Sequence, residues 1–270
     1  MAVFEGYLRK MATRLDPDTR MAIYTLMLDD KGKVVLNSFV GKYLKIQFLD
    51  NIQCVSCGRK IKKTYQDGYC FPCMSSKAEC DICIVKPHLC HFHLGTCRNE
   101  AWGTKHCFQE HTLYLVRTNK IKIGITRTQN KLHRWMDQGA AQAKEIGRFS
   151  DRRSVGLVEE KISKIMSDRT DWRKMLKNEM TDEDFSSYFE KIKEILSSVE
   201  KTHLIHDETP VTIHYPVKRY PEKVTSLKLN KSPSIEGTLT GIRGQYLMFG
   251  TDVFNVRAHS GYHVKVEISS

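Results

Sequence analysis

The chain has 270 residues, 40% of them hydrophobic, with 43 Lys and Arg against 31 Asp and Glu, a formal charge of +12. That length allows one large domain or two to three small ones, the apolar content excludes wholesale disorder, and no run approaches the ~18–20 apolar residues of a membrane span. The basic surplus points to a polyanionic partner, most simply nucleic acid.

Residues 1–53 read as an N-terminal β segment. Its first stretch, MAVFEGYLRKMATRLDPD, is broken by Glu5, Arg9 and Lys10 and has no signal-peptide apolar region, so export is not expected and a cytoplasmic location is. IYTLML (23–28) and YLKIQF (43–48) are strand-like, with turn signals at Asp29, Asp30, Gly32 and Gly41. Residues 54–111 form a Cys/His-rich region. Residues 112–204 read as a core with helices: TLYLV, a turn at RTNK, then IKIGIT as two strands. A helix follows over 129–144 with Leu132, Trp135 and Met136 on one side, and another over 154–168 with Val155, Val158, Ile162, Ile165 and Met166 in phase. Thr181 is the expected N-cap of a further helix whose stripe is Phe185, Phe189, Ile192, Leu196 and Val199. From 205 to 270, Pro210, Pro216, Pro221 and Pro233 punctuate short strands (TLTGI, QYLMF, VFNV, HVKVEI). This is a small β module that the N-terminal strands could complete, and the expected class is α+β.

All nine cysteines, at 54, 57, 70, 73, 80, 83, 90, 97 and 107, fall in the second region. An odd number arranged as Cys-x-x-Cys pairs, without an export signal, argues against a disulfide framework and for reduced thiolates on metal. Cys54-Val-Ser-Cys57, twelve residues, then Cys70-Phe-Pro-Cys73 is the spacing of two knuckles that close a tetrahedral S4 zinc site. Gly58 and Gly68 suit the turns, and four protein ligands make the site structural rather than catalytic. Cys80, Cys83, Cys90 and Cys97 would close a second site, with His93 or Cys107 able to replace either of the last two. An iron–sulfur cluster also uses four thiolates, and a surplus thiol could be merely buried, redox-active or catalytic, or part of a different metal centre.

The segment from Tyr114 to Glu159 supplies a hydroxyl, a glycine-bearing strand, Arg134 on a helix, and Glu159 and Glu160 on a second helix. Phosphodiester hydrolysis needs such groups: a base or water-orienting hydroxyl, a cation for phosphorane charge, and a carboxylate for a divalent metal. The run Tyr114-Leu-Val, Lys122-Ile-Gly-Ile-Thr126, Arg134 and a later helical Glu resembles the GIY-YIG endonuclease superfamily in its variant reading KIGIT. The longer pattern CGRK…GYC-x-x-C…CDIC…CHFHLGTCR…YLV…KIGITR…RWMDQGA resembles a bacterial, cysteine-rich domain-of-unknown-function family, over roughly residues 40–180 with a β tail beyond.

The resemblance implies a β-β-α-α core in which Tyr114 is the candidate base or water-orienting group and Gly124 a close-approach glycine. Arg134 would stabilise phosphate charge, Lys122 would bind phosphate, and Glu159 would carry Mg²⁺. Glu159 shares a helix face with Val155, Ile162 and Met166, toward the core edge, whereas Glu160 lies with Gly156, Ser163 and Lys164. The chain departs from the superfamily at Thr112-Leu113, where it has Gly-Ile, at Lys122, often tyrosine, and at Gln138, often histidine.

Between 101 and 153 there are eleven Lys and Arg and four Asp and Glu. Arg117, Lys120, Arg127, Lys131, Arg148, Arg152 and Arg153 are the expected phosphate track, with Tyr114 and Trp135 as stacking surfaces. The reading is a zinc protein, with one or two structural zinc sites, that binds structured RNA such as tRNA, or DNA. Its activity would be metal-dependent endonuclease cleavage; the alternatives are RNA modification through the surplus cysteines, or binding alone on the same scaffold.

Overall fold

The structure is a computed structural model and describes residues 2–29 and 32–269; Asp30, expected in a turn, lies outside the described residues. In chain order the elements are β1 (Ala2–Leu15), β2 (Ala22–Leu28), β3 (Gly32–Val35), β4 (Tyr43–Ile52), α1 (Phe71–Ser76), α2 (Glu100–His106), β5 (His111–Arg117), β6 (Ile121–Arg127), α3 (Lys131–Asp137), β7 (Gln142–Phe149) and α4 (Arg152–Ile162). There follow α5 (Trp172–Leu176), α6 (Phe185–Ile195), α7 (Ser198–Lys201), β8 (Val211–Thr212), β9 (Thr225–Leu227), β10 (Ser234–Thr238), β11 (Gly241–Arg243), β12 (Tyr246–Phe249), β13 (Asp252–Asn255) and β14 (Tyr262–Ile268). The class is mixed α+β. Among the described residues no helix is long and apolar enough to cross a membrane.

The chain divides into two compact units. The first comprises Met1–Met74, Leu176–Asn178 and Ile213–Ser270. Its larger sheet runs β10-β4-β14-β1-β2-β3, so strands from the two ends of the sequence alternate in one sheet. β1 serves two neighbours: its first half pairs with β14, from Ala2↔Ile268 to Tyr7↔His263, and its second half with β2, from Leu8↔Leu28 to Leu15↔Ala22. The strand passes from one partner to the other between Tyr7 and Leu8, and within the β2 pairing the register slips between Arg9 and Ala12. β2 and β14 alternate strictly between buried and half-buried residues, the period of a sheet with one face on a core. That core includes Leu8, Leu26, Leu28, Leu44, Ile46, Val264 and Val266. A second sheet, β11-β12-β13-β9, is contributed by the C-terminal part alone.

The second unit comprises Ser75–Met175 and Glu179–Thr212. Its sheet runs β6-β5-β7-β8, and central β5 is buried along nearly its whole length. Leu113, Leu115, Ile121, Ile123, Ile146 and Phe149 of the sheet pack with Val155, Val158 and Ile162 of α4 and Phe185, Phe189 and Ile192 of α6.

Three local expectations are corrected. The helix expected over 129–144 ends at Asp137, because Gly139 turns the chain at φ 74°, and Gln142–Phe149 is a strand. The helix expected over 154–168 runs from Arg152 to Ile162, so Ile165 loses its phase and is exposed. The helix expected from Thr181 is capped at Asp184 and stops at Ile195, which leaves Val199 exposed, while the Thr181 hydroxyl binds Glu183 at 2.6 Å instead.

Candidate functional site

The first cysteine cluster is built from two turns. The Gly58 amide closes on the Cys54 carbonyl at 3.0 Å, and Gly58 adopts φ 71°. At Gly68 the backbone sits at φ 118°, and a Cβ there would lie 2.5 Å from Val55 Cγ1 and 2.9 Å from the Ser260 carbonyl, so only glycine fits. Val55 and Gly68 are joined by a backbone hydrogen bond of 2.9 Å, which holds the two knuckles together. As a result the sulfurs of Cys54, Cys57, Cys70 and Cys73 all lie within 4.8 Å of one another, with Cys57 and Cys70 at 3.8 Å.

The thiols of this cluster differ in acidity. Burial raises the Cys54 pKa, but the amides of Cys57, Cys70 and Ser56 outweigh it and bring the thiol down to about 6. The Cys70 sulfur contact, with burial, pushes Cys73 up to about 12. Neighbouring thiolates repel, and a cation among them removes the conflict; the donor set fits a metal.

In the second cysteine region Cys83, Cys90 and Cys107 cluster with Ile84, Phe92 and Trp102 around them. Cys97 borders the same small recess, together with Asp81, His91 and Arg98. Cys80 and His93, weighed as ligands from the sequence, do not border it. His93 instead lines an adjoining cavity of about 280 Å³ with Phe92, Phe108, Asp151 and Arg153. Asp81, Cys83 and His91 also bring ligand atoms within 4.8 Å of one another.

Tyr114, Lys122, Arg134 and Glu159 come together from β5, β6, α3 and α4. Tyr114 stands opposite Gly124 in the β5–β6 pairing, and a Cβ on Gly124 would lie 2.6 Å from the Tyr114 hydroxyl. The glycine of KIGIT is therefore the floor over which the phenol lies. Trp135 meets that ring edge-on at 5.9 Å and is buried as core, not free to stack on a base. Gln138 Nε2 donates to the Tyr114 hydroxyl at 3.2 Å, and the Arg134 charge acts on the same hydroxyl. Burial pushes the Tyr114 pKa up despite the Arg134 charge and the Gln138 donor, so at neutral pH the group is a protonated hydroxyl.

Arg134 remains accessible to solvent, and the facing Tyr114 hydroxyl, with Asp137 and Glu159, holds its charge firmly. Burial and the nearby Asp168 charge push Glu159 up to about 7, against the pull of Arg134, Arg152 and Lys122. Lys122 is buried and donates to the Asp168 carbonyl at 3.3 Å. Burial and then Arg134 lower its pKa to about 8. Glu160 pairs with Lys164 at 3.2 Å and has no part in this group. Asp168 is the member that sequence reasoning missed: it follows α4 in a stretch with neither periodicity nor motif.

The expected phosphate track is divided. The Arg117 guanidinium donates to the Glu183 carbonyl and lies 5.4 Å from the Phe185 ring centre. Arg152 donates to the carbonyls of Cys83 at 3.2 Å and Ile84 at 2.7 Å. Lys131 and Arg148 hold the fully buried Glu145 at 2.5 and 2.6 Å, with Thr112 on the same carboxylate at 3.2 Å. Burial would raise the Glu145 pKa, and those contacts leave it lowered instead. Burial, followed by Arg152, depresses half-buried Arg127. Lys120 and Arg153 point to solvent. Arg117, Lys131, Arg148 and Arg152 are thus committed to internal partners, which a count of charges along the sequence cannot reveal.

A family model described as "Protein of unknown function (DUF2797)" matches residues 41–264, which includes the β tail. No curated protein and no solved structure matches the chain.

Proposed function

The chain belongs to the DUF2797 family, and from that premise we propose that it is a zinc-containing nucleic-acid-binding protein that cleaves phosphodiester bonds at Tyr114, Lys122, Arg134 and Glu159. One observation carries the reading: four separate elements converge to put a hydroxyl, a lysine, an arginine and a carboxylate of near-neutral pKa beside one another. The resemblance to GIY-YIG endonucleases implies the same assembly.

In this reading Arg134 neutralises charge on the phosphate in the transition state. Tyr114, kept protonated, orients the attacking water rather than deprotonating it. Glu159 has a pKa of about 7 by itself, and a bound cation would hold it ionised as a ligand. Lys122 carries its charge to the phosphate only below about pH 8. The pressure of Asp168 on Glu159 is of the kind a divalent cation relieves, so these two carboxylates would hold Mg²⁺. Bound there, it would supply Lewis-acid charge to a phosphate oxygen. Zinc at Cys54, Cys57, Cys70 and Cys73 would be structural, and nine free thiols fit a reducing cytoplasm.

The test is incubation of the purified chain with duplex DNA, single strands and tRNA, with and without Mg²⁺. Glu159→Gln should abolish cleavage, Arg134→Ala should slow it by about 10²–10³, and Glu160→Gln should leave it intact. Cleavage lost with Glu160→Gln and kept with Glu159→Gln would invert the assignment. Binding without cleavage under any divalent metal would make this a binding protein on a nuclease-like site.

A further inference from the structure

We propose a second metal site, a single divalent ion held by the thiolates of Cys83, Cys90, Cys97 and Cys107, with Cys80 outside it. Cys90 packs in one cluster with Cys83 and Cys107. Cys97 borders the same recess, with its thiol donating to the Asn99 carbonyl at 3.3 Å. Gly103 lets α2 close over the group, since a Cβ there would lie 3.0 Å from the Cys97 sulfur and 2.5 Å from the Phe92 ring. The recess is about 10 Å³, room for an ion and not for an organic ligand.

The competing trio of Asp81, Cys83 and His91 is already engaged. Asp81 takes Arg98 at 2.7 Å and the Cys83 amide at 3.2 Å, and His91 Nδ1 meets the Thr96 hydroxyl at 2.7 Å. Those contacts orient Cys83 and leave its sulfur to face Cys90.

Two further observations point to an ion. From Ala78 to Leu94 the backbone makes only short 3-10 turns, and Ile82, Val85, Leu89 and Leu94 are exposed. Such a stretch has too little apolar burial to fix its own shape, and a bound metal supplies the missing folding energy. Positive charge also surrounds the thiols. Arg152 acts on Cys90 and Cys107 while donating to the Cys83 carbonyl, and Arg127 feels Cys107. A divalent ion with four thiolates carries a net charge of −2, which these two arginines offset. Binding releases the thiol protons and involves no change of oxidation state. All-sulfur tetrahedral coordination selects zinc, with Co²⁺ as a faithful probe.

The experiment is metal analysis of the full chain and of single cysteine variants, with Co²⁺ substitution read by visible absorption. Cys107→Ser and Cys97→Ser should each remove one equivalent of zinc and its share of the tetrahedral cobalt–thiolate bands, and Cys80→Ser should remove none. If Cys107→Ser does not yield soluble protein, X-ray absorption on the wild type still decides. Zinc with sulfur as its sole ligand supports the site, whereas nitrogen or oxygen ligands on half of the zinc overturn it. Loss of metal with Cys80→Ser, retention with Cys107→Ser, or bound iron with labile sulfide would each overturn it.

Discussion

Glu159 is a carboxylate kept where its own charge is costly. Its pKa of about 7 in the folded chain lies above the ordinary 4.5, so the folded state retains a proton that the unfolded state has released. The contribution to stability is fully present below about pH 4.5 and is lost as pH rises through about 7. Glu159→Gln, which cannot ionise, should therefore raise the melting temperature at pH 8, by an amount equivalent to about 1–3 kcal/mol, and leave it unchanged at pH 4. Thermal unfolding at the two pH values checks this. Gly124 makes the complementary case. Gly124→Ala drives a methyl into the Tyr114 ring and should cost about 1–3 kcal/mol in denaturant unfolding, together with whatever activity depends on that hydroxyl. Tyr114, Lys122, Arg134 and Glu159 could be read from the sequence because a motif marks them. Asp168 could not, because it joins them only through the path the chain takes after α4.

At the scale of elements, α4 links the cysteine region to the Glu159 group. Gly156 lets the helix press against the backbone at Pro87 and His88; a Cβ there would lie 2.6 Å from both Pro87 C and His88 N. Arg152, on the same face as Glu159 seven residues on, staples the helix N-terminus to the carbonyls of Cys83 and Ile84. Gly156→Ala meets backbone, which cannot yield, so a cost of about 1–3 kcal/mol should outweigh the gain in helix propensity. Lower thermal stability and faster reaction of the cysteines with a thiol reagent are the expected readouts. Element types followed from hydrophobic period wherever it was long, as in β2 and β14. It failed at β7, where Ala140 to Glu145 has helix-forming composition but pairing with β5 and packing of Ile146 and Phe149 prevail. It failed also at β1, whose alternation is interrupted by the irregularity between Arg9 and Ala12.

For the whole molecule, net charge forecast an anionic partner but not which cations are free to meet it. Affinity for nucleic acid should fall steeply with salt, and Lys120→Glu with Arg153→Glu should weaken it on all sequences alike. Arg152→Glu should instead destabilise the fold, because its partners are carbonyl groups. A metal held by Cys54, Cys57, Cys70 and Cys73 would matter at the same scale. Its binding energy would be folding energy, so Cys57→Ser, or exposure to a strong chelator, should shift unfolding to lower denaturant with release of the ion. The Cys54, Cys57, Cys70 and Cys73 group was legible because its ligands pair locally. The grouping of Cys107 with Cys83 and Cys90 was one of several that the spacing left open, and spacing could not choose among them because α2 brings Cys107 back from a distance.

The pairing of β1 with β14 sets a timetable for synthesis. Ala2 must wait for Ile268 before its ladder can close. At about 5–20 residues per second, the first strand leaves the ribosome roughly 12–50 s before its partner exists. During that interval β1 can zip onto β2, which follows at once, but one edge of the hairpin stays open. An unpaired edge is a template for other nascent chains. Glu5, Arg9, Lys10 and Arg14 along β1 act as gatekeepers in that interval. The charges that make this strand hard to recognise are the ones that keep it soluble until β14 arrives.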